Sequence, residues 1–220
     1  MTESGSGRRS SGGSAPSARA WAARTTIGTA LLRRAHSVVV ATIRRQALRG
    51  RALRVNLIPV PVSGIGVTLY HQRVLGCSVS MRSNLDQALV AAATGAAGDR
   101  RFPRITAARL RKLRIVVSVL YHPRHVGPCR KAAVAQHLRL GMDSLAVSNG
   151  KRLAIFLDYV APHQSWTAQQ LVTALLRKAR LRDSPLRWTT YRTASWPQSD
   201  EGARALVDGF SPVPQRSANQ

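Results

Sequence analysis

The stretch Asp99-Arg-Arg-Phe-Pro-Arg-Ile-Thr106, running on to Leu113-Arg-Ile-Val-Val-Ser-Val-Leu120, decides the fold. It joins the end of a helix to an aromatic-proline turn, then to a short basic helix, then to a β-branched run that reads as a buried strand. Few folds want those pieces in that order.

Outward from this stretch, the local signals alternate between helix and strand. Asn84 opens a helix through residue 97 with Leu85, Ala88, Leu89, Ala92 and Ala96 on one face. Residues 64–70 and 74–80 read as two strands joined by a tight His71-Gln72-Arg73 connection. Before them, residues 55–62 hold two prolines, which restricts that segment to an edge or an irregular extended path. Downstream, residues 122–129 read as a loop rich in His, Pro and Arg. Residues 144–148 and 152–157 then flank Asn149-Gly150, the strongest hairpin signal in the chain. Thr167 caps a helix to about residue 179 that turns Leu171, Leu175 and Leu176 inward, and a strand over 187–195 follows. A weak helix is expected near residues 202–207. Near the start, Ile27, Leu31, Ala35, Val39, Ile43 and Ala47 recur at every fourth position. That spacing predicts an amphipathic helix over residues 25–48, with Arg33, Arg34, Ser37, Arg44 and Arg45 on its outer face. The strands are mostly hairpin-connected and lack βαβ regularity, so the fold class is α+β.

The domain division follows from composition. Residues 1–23, rich in Ser, Gly, Ala and Arg, are expected to be a disordered tail, residues 24–197 the domain, and residues 198–220 a mostly irregular C-terminal tail. Arg8-Arg9 is followed by Ser-Ser-Gly-Gly-Ser where a twin-arginine signal would need an apolar core. No apolar run approaches the ~20 residues that span a bilayer. With no secretory signal, Cys77 and Cys129 read as reduced thiols and the protein as cytoplasmic.

The formal charge of +25 comes from 34 basic and nine acidic residues, and only Lys112, Lys131, Lys151 and Lys178 are lysines. Arginines spread from Arg8 to Arg216, as a composition bias with a solvated basic face would give. Non-specific, salt-sensitive attachment to nucleic acid follows from the charge alone.

Taken together, the pieces resemble the AMMECR-type domain, named after the Alport syndrome, mental retardation, midface hypoplasia and elliptocytosis chromosomal region. The resemblance rests on Gly66-Val-Thr-Leu69 before Leu75-Gly-Cys77, on Ala91-Ala-Ala93 leading to Asp99-Arg-Arg-Phe-Pro103, and on residues 113–120. It continues through Ser144-Leu-Ala-Val-Ser-Asn-Gly-Lys-Arg152, Phe156-Leu157, Val160, Ser165-Trp166, Leu171, Lys178-Ala-Arg-Leu181, Trp188 and Tyr191. It implies a larger lobe around a mostly antiparallel sheet, a small accessory lobe, and a candidate site in the cleft near the cysteine turn. The family's activity is not established. This chain departs from the pattern at polar positions: Leu75 stands where the family has arginine, Val116 where it has glutamate, and Leu157-Asp158-Tyr159-Val160 where it has Leu-Pro-Gln-Val. Arg100 replaces a proline.

Candidate site residues follow. Cys77, after a glycine in a strand turn, is the candidate catalytic nucleophile, with His71 and Arg73 as the groups that would activate it. Read structurally, it is a small buried hydrophobe. Asp99 and Arg101 are candidates to clamp a polar or anionic ligand beside Ser118, and otherwise fix the turn at Phe102-Pro103. Asp158 and Tyr159 complete the ligand-binding set. His122, His125 and Cys129 have no matching zinc-site spacing, and Gly64-Ile-Gly66 lacks the Lys-Ser/Thr of a phosphate loop, so no metal or cofactor is expected. The expected function is binding or modification of a small molecule or partner in the cleft. The alternative is a non-catalytic protein that holds nucleic acid or another polyanion on its arginine-rich surface.

Overall fold

A computed structural model describes residues 25–53, 58 and 60–198. Six strands form one sheet in the order β2-β1-β3-β6-β4-β5, and every pairing is antiparallel. The strands are β1 (Val62–His71), β2 (Arg73–Ser80), β3 (Arg114–Cys129), β4 (Asp143–Ser148), β5 (Leu153–Phe156) and β6 (Leu186–Pro197). The principal helices are α1 (Thr25–Arg44), α2 (Leu85–Ala97) and α5 (Ala168–Ala179); α3 (Lys131–Gln136), α4 (Val160–His163) and a 3-10 turn (Ala107–Lys112) are short. The chain is α+β, as the sequence indicates.

Strand alternation explains the layering. Ile65, Val67 and Leu69 of β1, Ile115, Val117 and Val119 of β3, and Ala194 and Trp196 of β6 face α1 and α2 in the larger core. Leu145 and Val147 of β4, Ala154 of β5 and Trp188 of β6 face α3 and α5 in a smaller one. Both cores lie against one continuous six-stranded sheet. The opposite face of the same strands carries a third apolar cluster. There Leu120, Ala146, Ile155 and Leu157 pack with Val79, Met81, Tyr159 and Tyr191, which brings residues at the β2 edge to residues at the β5 edge. Leu157 lies so close that a Cβ on Gly66 would stand 3.1 Å from its Cδ1.

Several local expectations hold with sharper causes. The Asn84 side chain accepts from the Gln87 N–H at the start of α2, and Thr167 and Gln170 form a reciprocal capping box at the start of α5. Asn149 Oδ1 accepts from the N–H groups of Lys151 and Arg152, and Gly150 takes φ +90° in the hairpin.

Other expectations are corrected. The first helix ends at Arg44, not near residue 48. Arg45 turns left-handed at φ 56° and Gln46 N–H donates back to Ala41 O at 2.9 Å, so Ala47 lies beyond the helix and is exposed. Arg34 is not an outer-face residue. Its Nε and Nη2 donate to the two carboxylate oxygens of Asp86 at 2.8 and 2.9 Å, tying α1 to α2. Residues 122–129 are no loop, because β3 continues through them to pair with β6. The β1 pairing stops at Tyr121, so this half of β3 is bonded on one side only and tolerates Pro123 and Pro128. Half of the extended segment over 55–62, the helix near 202–207, the N-terminal tail and residues 199–220 lie outside the described residues.

Candidate functional site

β2 is an edge strand, so one side of its backbone lacks a neighbouring strand. At Cys77 two side chains fill that side. The Cys77 N–H donates to Asp99 Oδ2 at 3.1 Å, and Arg101 Nη2 donates to the Cys77 carbonyl at 3.2 Å. The same nitrogen lies 3.2 Å from Cys77 Sγ. Arg101 also grips Asp99, through Nε to Oδ1 at 2.9 Å and Nη2 to Oδ2 at 2.6 Å.

The chain delivers this clamp through the close approach of α2 to β2. A Cβ on Gly76 would sit 2.1 Å from the Ala96 carbonyl oxygen, so only glycine lets the last turn of α2 come this near. Asp99 follows two residues after the helix, and Phe102 N–H closes a turn onto the Asp99 carbonyl at 3.2 Å. Burial would raise the Asp99 pKa, but hydrogen bonds from the Arg101 side chain and from the Cys77 and Arg101 N–H groups hold it below the usual carboxylate range. Hydrogen bonding to Asp99 in turn fixes the charge on Arg101.

From the opposite edge comes Lys178. Its Nζ donates to the Ile155 carbonyl at 2.7 Å and stands 4.5 Å from the centroid of the Phe156 ring. Phe156 is held edge-on by Trp166, with ring centroids 5.9 Å apart. Burial lowers the Lys178 pKa; the Arg101 charge adds to that shift, and Cys77 and Asp99 oppose it. The ammonium thus lies within electrostatic reach of the clamp on β2.

Behind these groups the sheet face opposite the two cores is stitched by hydroxyls. Tyr159 OH is 2.9 Å from Thr68 Oγ1, and Thr68 is the cross-strand partner of Cys77. Burial raises the Tyr159 pKa. Val116 is the next residue in that cross-strand row and is fully buried, so the row ends on an apolar side chain. Ser118 pairs with Ser195 at 2.8 Å, and Ser144 with Thr193 at 2.5 Å. Asp158 N–H donates to Ser144 Oγ at 2.9 Å. The Asp158 Oδ1 is buried without a hydrogen-bond partner, and burial raises this carboxyl to about 6 against the backbone N–H groups of Tyr159 and Asp158, with a smaller push from Asp143.

The structure therefore joins Cys77, Asp99 and Arg101 directly and connects Tyr159 to them through Thr68. Ser118 belongs to the hydroxyl stitching rather than to the clamp. His71 and Arg73 pair with each other at the hairpin end, and Arg101 is the cation that touches the sulfur. His125 bonds Thr189 at 3.1 Å and Cys129 packs against the smaller core. Among the described residues no group of three or more His, Cys, Asp or Glu could hold a metal ion. Lys178 was not legible as a site residue. Two signals point to it: its rarity, as a lysine in a chain that otherwise uses arginine, and its place in the Lys178-Ala-Arg-Leu181 match.

A family profile described as AMMECR1 matches residues 22–196. A protein of Methanothermobacter thermautotrophicus is 29% identical over 107 residues, covering 49% of this chain and 56% of the relative. A protein of Methanocella arvoryzae is 31% identical over 106 residues, covering 48% and 52%. An uncharacterized protein of Arabidopsis thaliana is 35% identical over 88 residues, covering 40% and 41%. The aligned regions thus span about half the length of these relatives or less. The crystal structure of an uncharacterized protein from Pyrococcus horikoshii superposes with a TM-score of 0.64 at 21% identity, covering 77% of this chain and 90% of that one. At that identity the likeness concerns the fold. With the profile matching most of its length, this chain belongs to the AMMECR1 family.

Proposed function

We propose that the groove between the β2 and β5 edges binds a small anionic molecule, with Arg101 and Lys178 as its charge partners and the Cys77 thiol against it. The observation that carries this reading is the contact of Arg101 with the Cys77 sulfur, with Lys178 on the opposite sheet edge within electrostatic reach of it. Arg101 spends Nε and Nη2 on Asp99 and Cys77, which leaves Nη1 for a ligand oxygen. Phe156 and Trp166 supply an apolar wall beside Lys178. Tyr159 and Asp158 lie further in, where a ligand hydroxyl or amine would meet them. Both described cysteines are free thiols, in keeping with a reducing compartment such as the cytoplasm.

The test is thermal unfolding of wild type and Lys178→Met with citrate and with inorganic phosphate, each at constant ionic strength. A ligand at ~100 times its Kd adds about 2.7 kcal/mol, which is several degrees for a domain of this size. The reading expects at least one anion to stabilise the wild type and to lose that effect in the variant. Equal shifts in both proteins would refute it.

A further inference from the structure

We propose that the exposed segment from Arg100 to Arg114 is a docking strip for the phosphodiester backbone of duplex nucleic acid, which borders the groove at Arg101 and runs away from it. The fifteen residues 100–114 hold seven cations: Arg100, Arg101, Arg104, Arg109, Arg111, Lys112 and Arg114. Ile105, Leu110 and Leu113 of the same segment point into the larger core, which anchors its backbone and turns the cations outward. Arg100, Arg104, Arg109, Arg111 and Lys112 are exposed, and among the described residues none of them forms an ion pair. In the 3-10 turn, positions three apart align, so Arg109 and Lys112 share one ridge with Arg111 beside it.

Few acids are left to neutralise this strip. Five of the nine acidic residues are described. Asp86 is taken by Arg34, Asp99 by Arg101 and Asp143 by Arg139; Asp158 is withdrawn to the sheet face opposite the two cores, and Asp183 accepts the Lys131 N–H. The excess charge is therefore local as well as global.

The character of the strip selects its partner. A membrane surface needs apolar side chains to insert beside the cations, and here the large aliphatic ones all point inward. A protein interface needs a desolvated apolar centre, which the strip lacks. Single-stranded nucleic acid is held by stacking on aromatic rings. The one ring of the segment, Phe102, is half-buried with the Arg101 guanidinium 5.7 Å from its centroid. What remains is a charged polymer read through its phosphates. Residues 101–112 extend no more than about 30 Å at strand and 3-10 rises, and a duplex carries one phosphate charge per ~1.7 Å of axis.

The test is the salt dependence of binding of a fluorescein-labelled 20-base-pair DNA duplex to the whole chain. Wild type is compared with R109Q/R111Q/K112Q and with the control R124Q/R130Q/K131Q, which removes equal charge at the far end of β3. The expected result is that the strip variant loses at least tenfold in affinity near 0.1 M salt. Its log–log salt slope should also fall by roughly two to three, at about 0.9 per lost phosphate contact. The control should stay within about threefold of wild type. R100Q/R104Q/R109Q serves if the first triple fails to fold. Equal losses in strip and control variants would overturn the proposal. So would equal affinity for a 20-nucleotide single strand, or for vesicles containing phosphatidylserine at matched charge.

Discussion

One nitrogen of Arg101, Nη2, sits 3.2 Å from both the carbonyl oxygen and the sulfur of Cys77. The strand edge and the thiol are therefore held by the same cation, and Asp99 holds that cation in place. Asp99 and Arg101 act here as a substitute for a neighbouring strand. Structure and candidate chemistry share one device, and the two roles separate under mutation.

Asp99→Asn removes the anion at the centre of the clamp. Hydrogen bonds to charged groups contribute about 1.5–3 kcal/mol, so the variant should lose about 2 kcal/mol at pH 7. Because the folded-state pKa of Asp99 lies below its unfolded value, its contribution is present above about pH 4 and disappears as pH falls through the folded value. Urea unfolding at pH 7 and pH 3 should show a clear gap that narrows at the lower pH. A gap that persists unchanged would mean the carboxylate charge is not what stabilises the clamp.

Asp158→Asn should act in the opposite direction. Burial raises this carboxyl to about 6, so its ionisation opposes folding. The wild type loses stability as pH rises from about 4 to about 6, by an amount of order 2 kcal/mol, and does not recover it above that range. The asparagine variant should therefore melt higher than wild type at pH 7.5 and nearly level with it at pH 4. A variant that melts lower at pH 7.5 would show that the ionised carboxylate has a stabilising partner.

Gly76→Ala places a methyl against backbone rather than a mobile side chain, 2.1 Å from the Ala96 oxygen. Relief requires α2 to move off β2, at a cost of about 2–3 kcal/mol. Chemical denaturation should read a loss of that size, with faster alkylation of Cys77 as the clamp loosens. A stability change below about 0.5 kcal/mol would show that α2 does not pack this tightly.

Much of the fold was legible because its signals are local. Asn84 and Thr167 mark helix starts by side-chain chemistry acting over three residues, and Asn149-Gly150 marks a hairpin by backbone conformation. What escaped depends on partners remote in sequence. Arg34 reads as a solvent-facing cation until Asp86, 52 residues away, accepts its guanidinium. Residues 122–129 look like a loop because prolines exclude a doubly paired strand, and only the sheet order shows that one side there is unpaired. Asp99 and Arg101 were legible as a pair, whereas their target was not, because the cross-strand registers put Ser118 across from Gly66 and Cys77 across from Thr68. Lys178 lies within electrostatic reach of the clamp only because the sheet sets β5 and β2 in one fold, which no periodicity encodes.

The central claim is that Arg101 and Lys178 make the space at Cys77 selective for anions, and the thiol itself can report it. The thiolate attacks iodoacetate and iodoacetamide alike, displacing iodide, so the ratio of their rates at one cysteine cancels the thiolate fraction and isolates attraction for the charged reagent. The account predicts a ratio at Cys77 roughly three to five times that at Cys129, from ~1 kcal/mol of attraction at about 4 Å. In Lys178→Met the Cys77 ratio should fall toward the Cys129 value. A Cys77 ratio equal to that of Cys129, or one untouched by Lys178→Met, would contradict it.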